Sequence, residues 1–152
     1  MTHGAFYAHF DSKGALYAEA LQTAAQNSLL VTQGGQLSKT TLLHLMQEYL
    51  SLGHVKQQGP PCPLAFLATD VAHREAHVRA SYERIFNGMV ARLAELLATF
   101  ENLSQSPHSL AQYLVATLVG TVAIARTLND ETTQQSLLDN AHIGLLHMLN
   151  VS

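Results

Sequence analysis

The sequence predicts an all-α protein, and three observations carry that prediction. Apolar residues recur at spacings of three and four along almost the whole chain, the period of a helix buried on one side. No stretch alternates apolar and polar residues as a half-exposed strand would. The breaks between periodic stretches carry helix start and stop chemistry, with Ser or Asp ahead of a run, Pro at its first position and Gly or Asn behind it.

Taken in order, residues 2–10 predict a short helix. Asp11 or Ser12 then offers a side-chain oxygen to the free amides of a second helix, whose face runs through Leu16, Ala20 and Ala24 to about Leu30 before Gly34-Gly35 breaks it. Ser38 is the next candidate N-cap, ahead of a stripe of Leu42, Leu45, Tyr49 and Leu52 flanked by Met46 and Leu50. Glycine, polar residues and two prolines predict a loop from Gly53 to Pro61. Cys62-Pro63 restarts the helix, since Pro at a first helical position loses no needed hydrogen bond, and Leu64, Leu67 and Val71 carry it to near Arg74. The strongest periodicity follows in Val78, Tyr82, Ile85, Met89, Leu93, Leu96 and Phe100. Ser104 to Pro107 predicts a turn. Two closing helices run roughly from Ser109 to Leu128 and from Glu131 to Leu149, with Asn129-Asp130 between them.

The length of 152 residues suits one compact domain. Hydrophobic residues make up 47% and charged residues 12%, which excludes a disordered chain and leaves apolar surface for a partner to cover. No apolar run is read as reaching the length of a membrane span, and no basic-then-apolar segment opens the chain, so a cytoplasmic protein is expected. Cys62 is the single cysteine, which excludes an intramolecular disulfide framework. A net charge of −3, with Lys13 the sole Lys or Arg before Lys39, opposes nucleic-acid binding by charge alone.

The stretch from Leu110 to Leu128 is uncharged until Arg126 and apolar or small on more than one face, and the final helix is similar. A helix apolar nearly all round wants neighbours all round, and a second copy of the chain supplies them by a two-fold pairing of two helices against two. The expected interface is Leu110, Leu114, Leu118, Thr121 and Ala125 with Leu138, Ala141, Leu145 and Met148. The alternative is burial of both helices within one chain.

The opening Thr2-His3-Gly4-Ala5-Phe6-Tyr7-Ala8-His9-Phe10-Asp11-Ser12-Lys13 resembles the recognition helix and following corner of the TetR (tetracycline repressor) family of bacterial transcription regulators. Tyr49-Leu50-Ser51, His54, Gly59, Cys62-Pro63-Leu64 and Asp70-Val71-Ala72 resemble a subgroup of that family's ligand-binding domain. The resemblance implies a remnant of a helix-turn-helix unit over residues 1–30, and a ligand-binding and dimerisation domain over 31–152. It implies that Thr2, His3 and Ala5 face base edges, that Tyr7, His9 and Lys13 hold phosphates, and that Phe6 and Phe10 pin the corner. It also implies two further helices ahead of Met1. Their absence accounts for the charge deficit and leads to the expectation that these 152 residues bind operator DNA weakly or not at all.

A small, largely apolar effector is implied as well, in a cavity lined by Met46, Tyr49, Leu50, Phe66, Tyr82, Phe86, Met89, Tyr113 and Thr117, unless these are ordinary core. Cys62 at a helix start is either a sensor of electrophiles, as in some relatives, or a small half-buried residue. His73 and His77 could chelate from one helix face if no break fell between them, but His142 and His147 point apart and no third ligand completes a site, so no metal is expected. No phosphate-cradling loop, nucleophile elbow or carboxylate pair is present; neither an enzyme nor a cofactor is expected. The reading is a ligand-responsive regulator, a repressor, acting as a homodimer on operator DNA without membrane partners; the alternative is a helical dimer that binds small molecules or a partner helix but no DNA.

Overall fold

The computed structural model describes residues 13–26, 38–59, 62–103 and 105–150, and every regular element among them is an α-helix. In chain order these are α1 (Lys13–Gln26), α2 (Lys39–Tyr49), α3 (Leu52–Val55), α4 (Pro63–Val71), α5 (Ala76–Leu97), α6 (Pro107–Ala125) and α7 (Glu131–Met148). The expected helix over 2–10, the cap at Asp11 or Ser12 and the break at Gly34-Gly35 lie outside the described residues.

Side-chain caps start α2, α3, α6 and α7. Ser38 accepts a hydrogen bond from the Thr41 amide at 3.1 Å, and Ser106 accepts one from the Ser109 amide at 3.2 Å with Pro107 next in line. Asp130 accepts from the Thr133 amide at 2.8 Å and opens α7. The end of α6 is tied off by Gln134, whose amide donates to the carbonyls of Ala125 at 3.0 Å and Leu128 at 2.8 Å, the first of which also accepts from the Leu128 amide. One expected loop is partly helical. Ser51 caps a single turn, α3, which holds because its His54 and Val55 are buried against the core.

Helix α6 sits at the centre, packed against α5, α7, α4, α2 and α3. By length and composition alone it is apolar enough to cross a membrane, which corrects the expectation that no run reaches that length; here it is the core helix. Leu110, Leu114 and Ala125 have no exposed surface, and Leu118, Thr121, Leu138 and Leu145 are also buried. These seven belong to the core of a single copy, and Ala141 and Met148 are half-buried against it. What α6 leaves outside is a different stripe, Tyr113, Ala116, Thr117, Gly120 and Ile124, spaced as one helix face. On α7 the exposed residues include Asn140, Ile143, Gly144 and His147. The large apolar side chains most open to solvent among the described residues, Tyr113 at 54%, Ile124 at 55% and Ile143 at 51%, all lie on these two helices.

Helix α1 docks on α5 and α4 through a small separate core of Leu21, Val71 and Val78, with Tyr17 and Leu67 packed against it. Gly14 permits the close approach, since a Cβ there would lie 2.6 Å from the His77 ring. A polar tie reinforces the contact. The Tyr17 hydroxyl donates to the Asp70 carboxylate, Arg74 grips the same carboxylate with two nitrogens at 2.9 and 3.2 Å, and its guanidinium lies 4.9 Å from the Tyr17 ring centroid. Burial raises the Tyr17 hydroxyl to about 12, with the bond to Asp70 adding to the shift. Arg74 first, and Tyr17 second, hold the Asp70 carboxyl below its ordinary 3.8. The stability this tie contributes is therefore present above that ordinary value and is lost as pH falls through the lower folded one. Leu21→Ala is expected to cost about 2–5 kcal/mol in denaturant unfolding. Asp70→Asn is expected to lower the melting temperature by a constant amount between about pH 5 and 8, a gap that closes on acidification.

Candidate functional site

Between α2, α4 and α5 the side chains fail to meet, leaving a cavity of about 350 Å³. Leu42, Leu45, Met46 and Tyr49 of α2 form one wall, Pro63 and Leu64 of α4 another, and Ile85, Gly88, Met89 and Leu93 of α5 a third. Leu118 of α6 forms part of the lining, and Ala25 and Gln26, the last residues of α1, complete it. The cavity explains why the apolar stripe of α5 divides. Val78, Leu93 and Leu96 are buried, whereas Tyr82, Ile85 and Met89 are half-buried, Ile85 and Met89 because they face open space.

Of the residues expected to line a ligand site, Met46, Tyr49 and Met89 line this cavity. Leu50 is buried in the core, and Phe86 packs against it. The Tyr82 hydroxyl donates to the Leu64 carbonyl at 2.7 Å, which fixes the ring as a strut between α5 and α4. Phe66 lies beneath the Arg126 guanidinium, 3.8 Å from its ring centroid, with His54 on another side at 5.6 Å. Tyr113 and Thr117 belong to the outer stripe of α6, away from the cavity. Leu118, expected at an interface, instead lines the cavity. Of the residues expected to touch DNA, Thr2, His3, Ala5, Tyr7 and His9 lie outside the described residues, and Lys13 is the first residue of α1.

The sequence reading missed His54 as a lining residue because it falls where a loop was expected; the signal was Ser51, an N-cap three residues ahead of it. It is 6% exposed, and its Nδ1 lies 2.7 Å from the Tyr49 carbonyl oxygen. Burial lowers the imidazole below its ordinary 6.5, a shift opposed by the bond to Tyr49 and aided by the Arg126 charge. Burial also raises the Tyr49 hydroxyl well above its ordinary value, and the neighbouring Cys62 adds to the rise. Cys62 is buried at the N-cap of α4, makes no capping hydrogen bond with its side chain, and lines the cavity. Arg84 and Arg92 of α5 bring the charges to the lining; Arg84 donates to the Ser81 hydroxyl at 3.0 Å.

His73 and His77 do not share a helix face, because α4 ends at Val71 and α5 begins at Ala76. Among the described residues no group of three or more His, Cys, Asp or Glu is placed to hold a metal ion.

A Cβ built at Gly88 meets nothing within 4 Å. Gly88→Ala is therefore expected to stabilise the chain by about 0.5–1 kcal/mol through helix propensity. Gly88→Leu is expected to keep the fold while abolishing calorimetric uptake of naphthalene, an apolar probe of the cavity.

Residues 41–138 match the family profile described as the LmrA/YxaF-like transcriptional regulator, C-terminal domain, a TetR-type domain. A comparison with curated protein sequences finds no match. Among solved structures the fold is similar to that of Escherichia coli NemR in its reduced form, with a TM-score of 0.69 at 23% identity, over 99% of this chain and 80% of that one. With the profile spanning more than half of its length, the chain belongs to the TetR family of transcriptional regulators.

Proposed function

We propose that this protein is a ligand-responsive repressor of the TetR family, in which residues 31–152 bind a small, largely apolar effector and pair with a second copy, and residues 1–30 belong to the DNA-reading unit and its connecting helix. The observation that supports this reading best is the place of the cavity. Its wall includes Ala25 and Gln26, so a molecule inside touches the end of the helix that follows the DNA-reading segment. An effector that fits one placement of α1 better than another shifts the population of the two, and only that difference in affinity can drive a release from operator DNA. Cys62 on the same wall places a thiol within reach of an electrophilic effector. A cytoplasmic regulator without catalytic chemistry fits this role.

The pairing surface is the outer stripe of α6 with the exposed face of α7. Tyr113, Ile124 and Ile143 supply the apolar anchors. Gly120 and Gly144, where an added Cβ meets nothing within 4 Å, let a partner helix approach closely. A contact of this kind is self-complementary and closes as a dimer.

Two measurements test the reading. Sedimentation equilibrium is expected to show a dimer that the double variant Ile124→Glu, Ile143→Glu converts to a folded monomer; an unchanged mass places the interface elsewhere. Transcript profiling of a strain lacking the gene is expected to show a small set of raised transcripts that return to baseline on complementation. No change in any transcript contradicts a repressor and favours the helical dimer that binds no DNA, a reading to which the net charge of −3 lends weight.

A further inference from the structure

The cavity is apolar almost throughout, yet it holds two polar atoms without a nitrogen or oxygen partner, the Tyr49 hydroxyl having only the weakly bonding Cys62 thiol as a polar neighbour. Among the described residues, the Tyr49 hydroxyl oxygen and His54 Nε2 are the buried side-chain polar atoms without a hydrogen-bond partner. Both side chains line the cavity, and both are 6% exposed. A buried polar group left unpaired costs about 1–3 kcal/mol, so two on one wall mark a place where a partner belongs.

Their chemistry is fixed by the turn that joins α2 to α3. The chain passes from Tyr49 through the Ser51 cap, and His54 folds back so that its ring meets the Tyr49 ring edge-on, centroids 4.3 Å apart at 64°. His54 Nδ1 faces the Tyr49 carbonyl oxygen at 2.7 Å, and a carbonyl only accepts. The proton therefore sits on Nδ1, and Nε2 presents a lone pair. The Tyr49 hydroxyl keeps its proton, since burial raises its pKa well above the ordinary value. The wall thus offers one acceptor and one donor, carried on rings whose centroids are 4.3 Å apart.

We propose that the cavity selects a neutral aromatic molecule bearing a hydroxyl group, a phenol, whose O–H donates to His54 Nε2 and whose oxygen accepts from the Tyr49 hydroxyl. This rests on the effector-site reading above and gives the effector a chemical class. A ketone or ether satisfies Tyr49 and leaves His54 unmet. A carboxylate has no proton to give His54. A protonated amine satisfies His54, has no lone pair for Tyr49, and brings positive charge into a lining that already holds Arg84 and Arg92. The polarisable side chains of Met46 and Met89 suit the flat face of a ring.

The test is calorimetric titration of the 152-residue chain with 2-naphthol, 2-methoxynaphthalene and naphthalene. The expected result is that 2-naphthol binds roughly 10- to 100-fold more tightly than its methyl ether. Tyr49→Phe removes a hydroxyl whose polar neighbour is the weakly bonding Cys62 thiol, and His54→Asn keeps an N–H to donate to the Tyr49 carbonyl while removing the Nε2 acceptor. Each variant is expected to bring the ratio down towards unity with naphthalene affinity unchanged, and Tyr49→Phe carries the test if His54→Asn fails to fold. Equal binding of all three probes, or a full preference retained in Tyr49→Phe, overturns the phenol assignment and leaves the cavity reading standing. No binding of any probe overturns the effector-site reading and the assignment with it.

Discussion

Helix α6 has no acidic or basic side chain except His108 along its whole length, and hiding it is the constraint around which the rest of the chain is arranged. A helix that is apolar on most of its circumference cannot sit at a surface, so α5, α7, α4, α2 and α3 surround it. One stripe is left uncovered, and it carries Tyr113 and Ile124. An exposed apolar stripe on so apolar a helix is the feature that a second copy would cover. The same crowding leaves a gap on the other side. Helices α2, α4 and α5 reach α6 by different routes, and side chains at the end of α1 line the space between them.

That arrangement gives α1 two attachments of different character. Near its middle, Leu21 and the Tyr17–Asp70–Arg74 tie hold it to α4 and α5. At its end, Ala25 and Gln26 rest on a cavity instead of a packed core. A helix held at Leu21 and lining the cavity at Ala25 and Gln26 is suited to tilt when the gap is filled. The population of two placements changes by as much as the ligand's affinity differs between them, and about 1.4 kcal/mol of difference changes it tenfold. Under the proposed function, the link from ligand to DNA needs only a modest preference.

Much of the fold was legible in the sequence. Ser38 and Pro63 marked helix starts, and the spacing of Val78, Leu93 and Leu96 identified the long helix. What periodicity could not supply was the direction in which an apolar helix faces. On α6, Leu110, Leu114 and Leu118 and the stripe through Tyr113 and Ile124 lie on different faces with similar hydrophobic content, and only the positions of five neighbouring helices decide which is core. The cavity was half legible for the same reason. Met46, Tyr49 and Met89 are the large flexible or aromatic residues expected to line a pocket, whereas Gly88 and Leu118 line it by position, and His54 does so because Ser51 begins a turn inside an expected loop.

The central claim is that a molecule in the cavity moves α1. Its most direct test is a pulsed electron-resonance distance measurement between spin labels on the exposed Gln22→Cys position of both protomers, with Cys62→Ser removing the other thiol. Saturation with 2-naphthol is expected to shift the distance distribution between the two α1 helices while the chain remains dimeric. An unchanged distribution under conditions where calorimetry shows the cavity filled would contradict the claim.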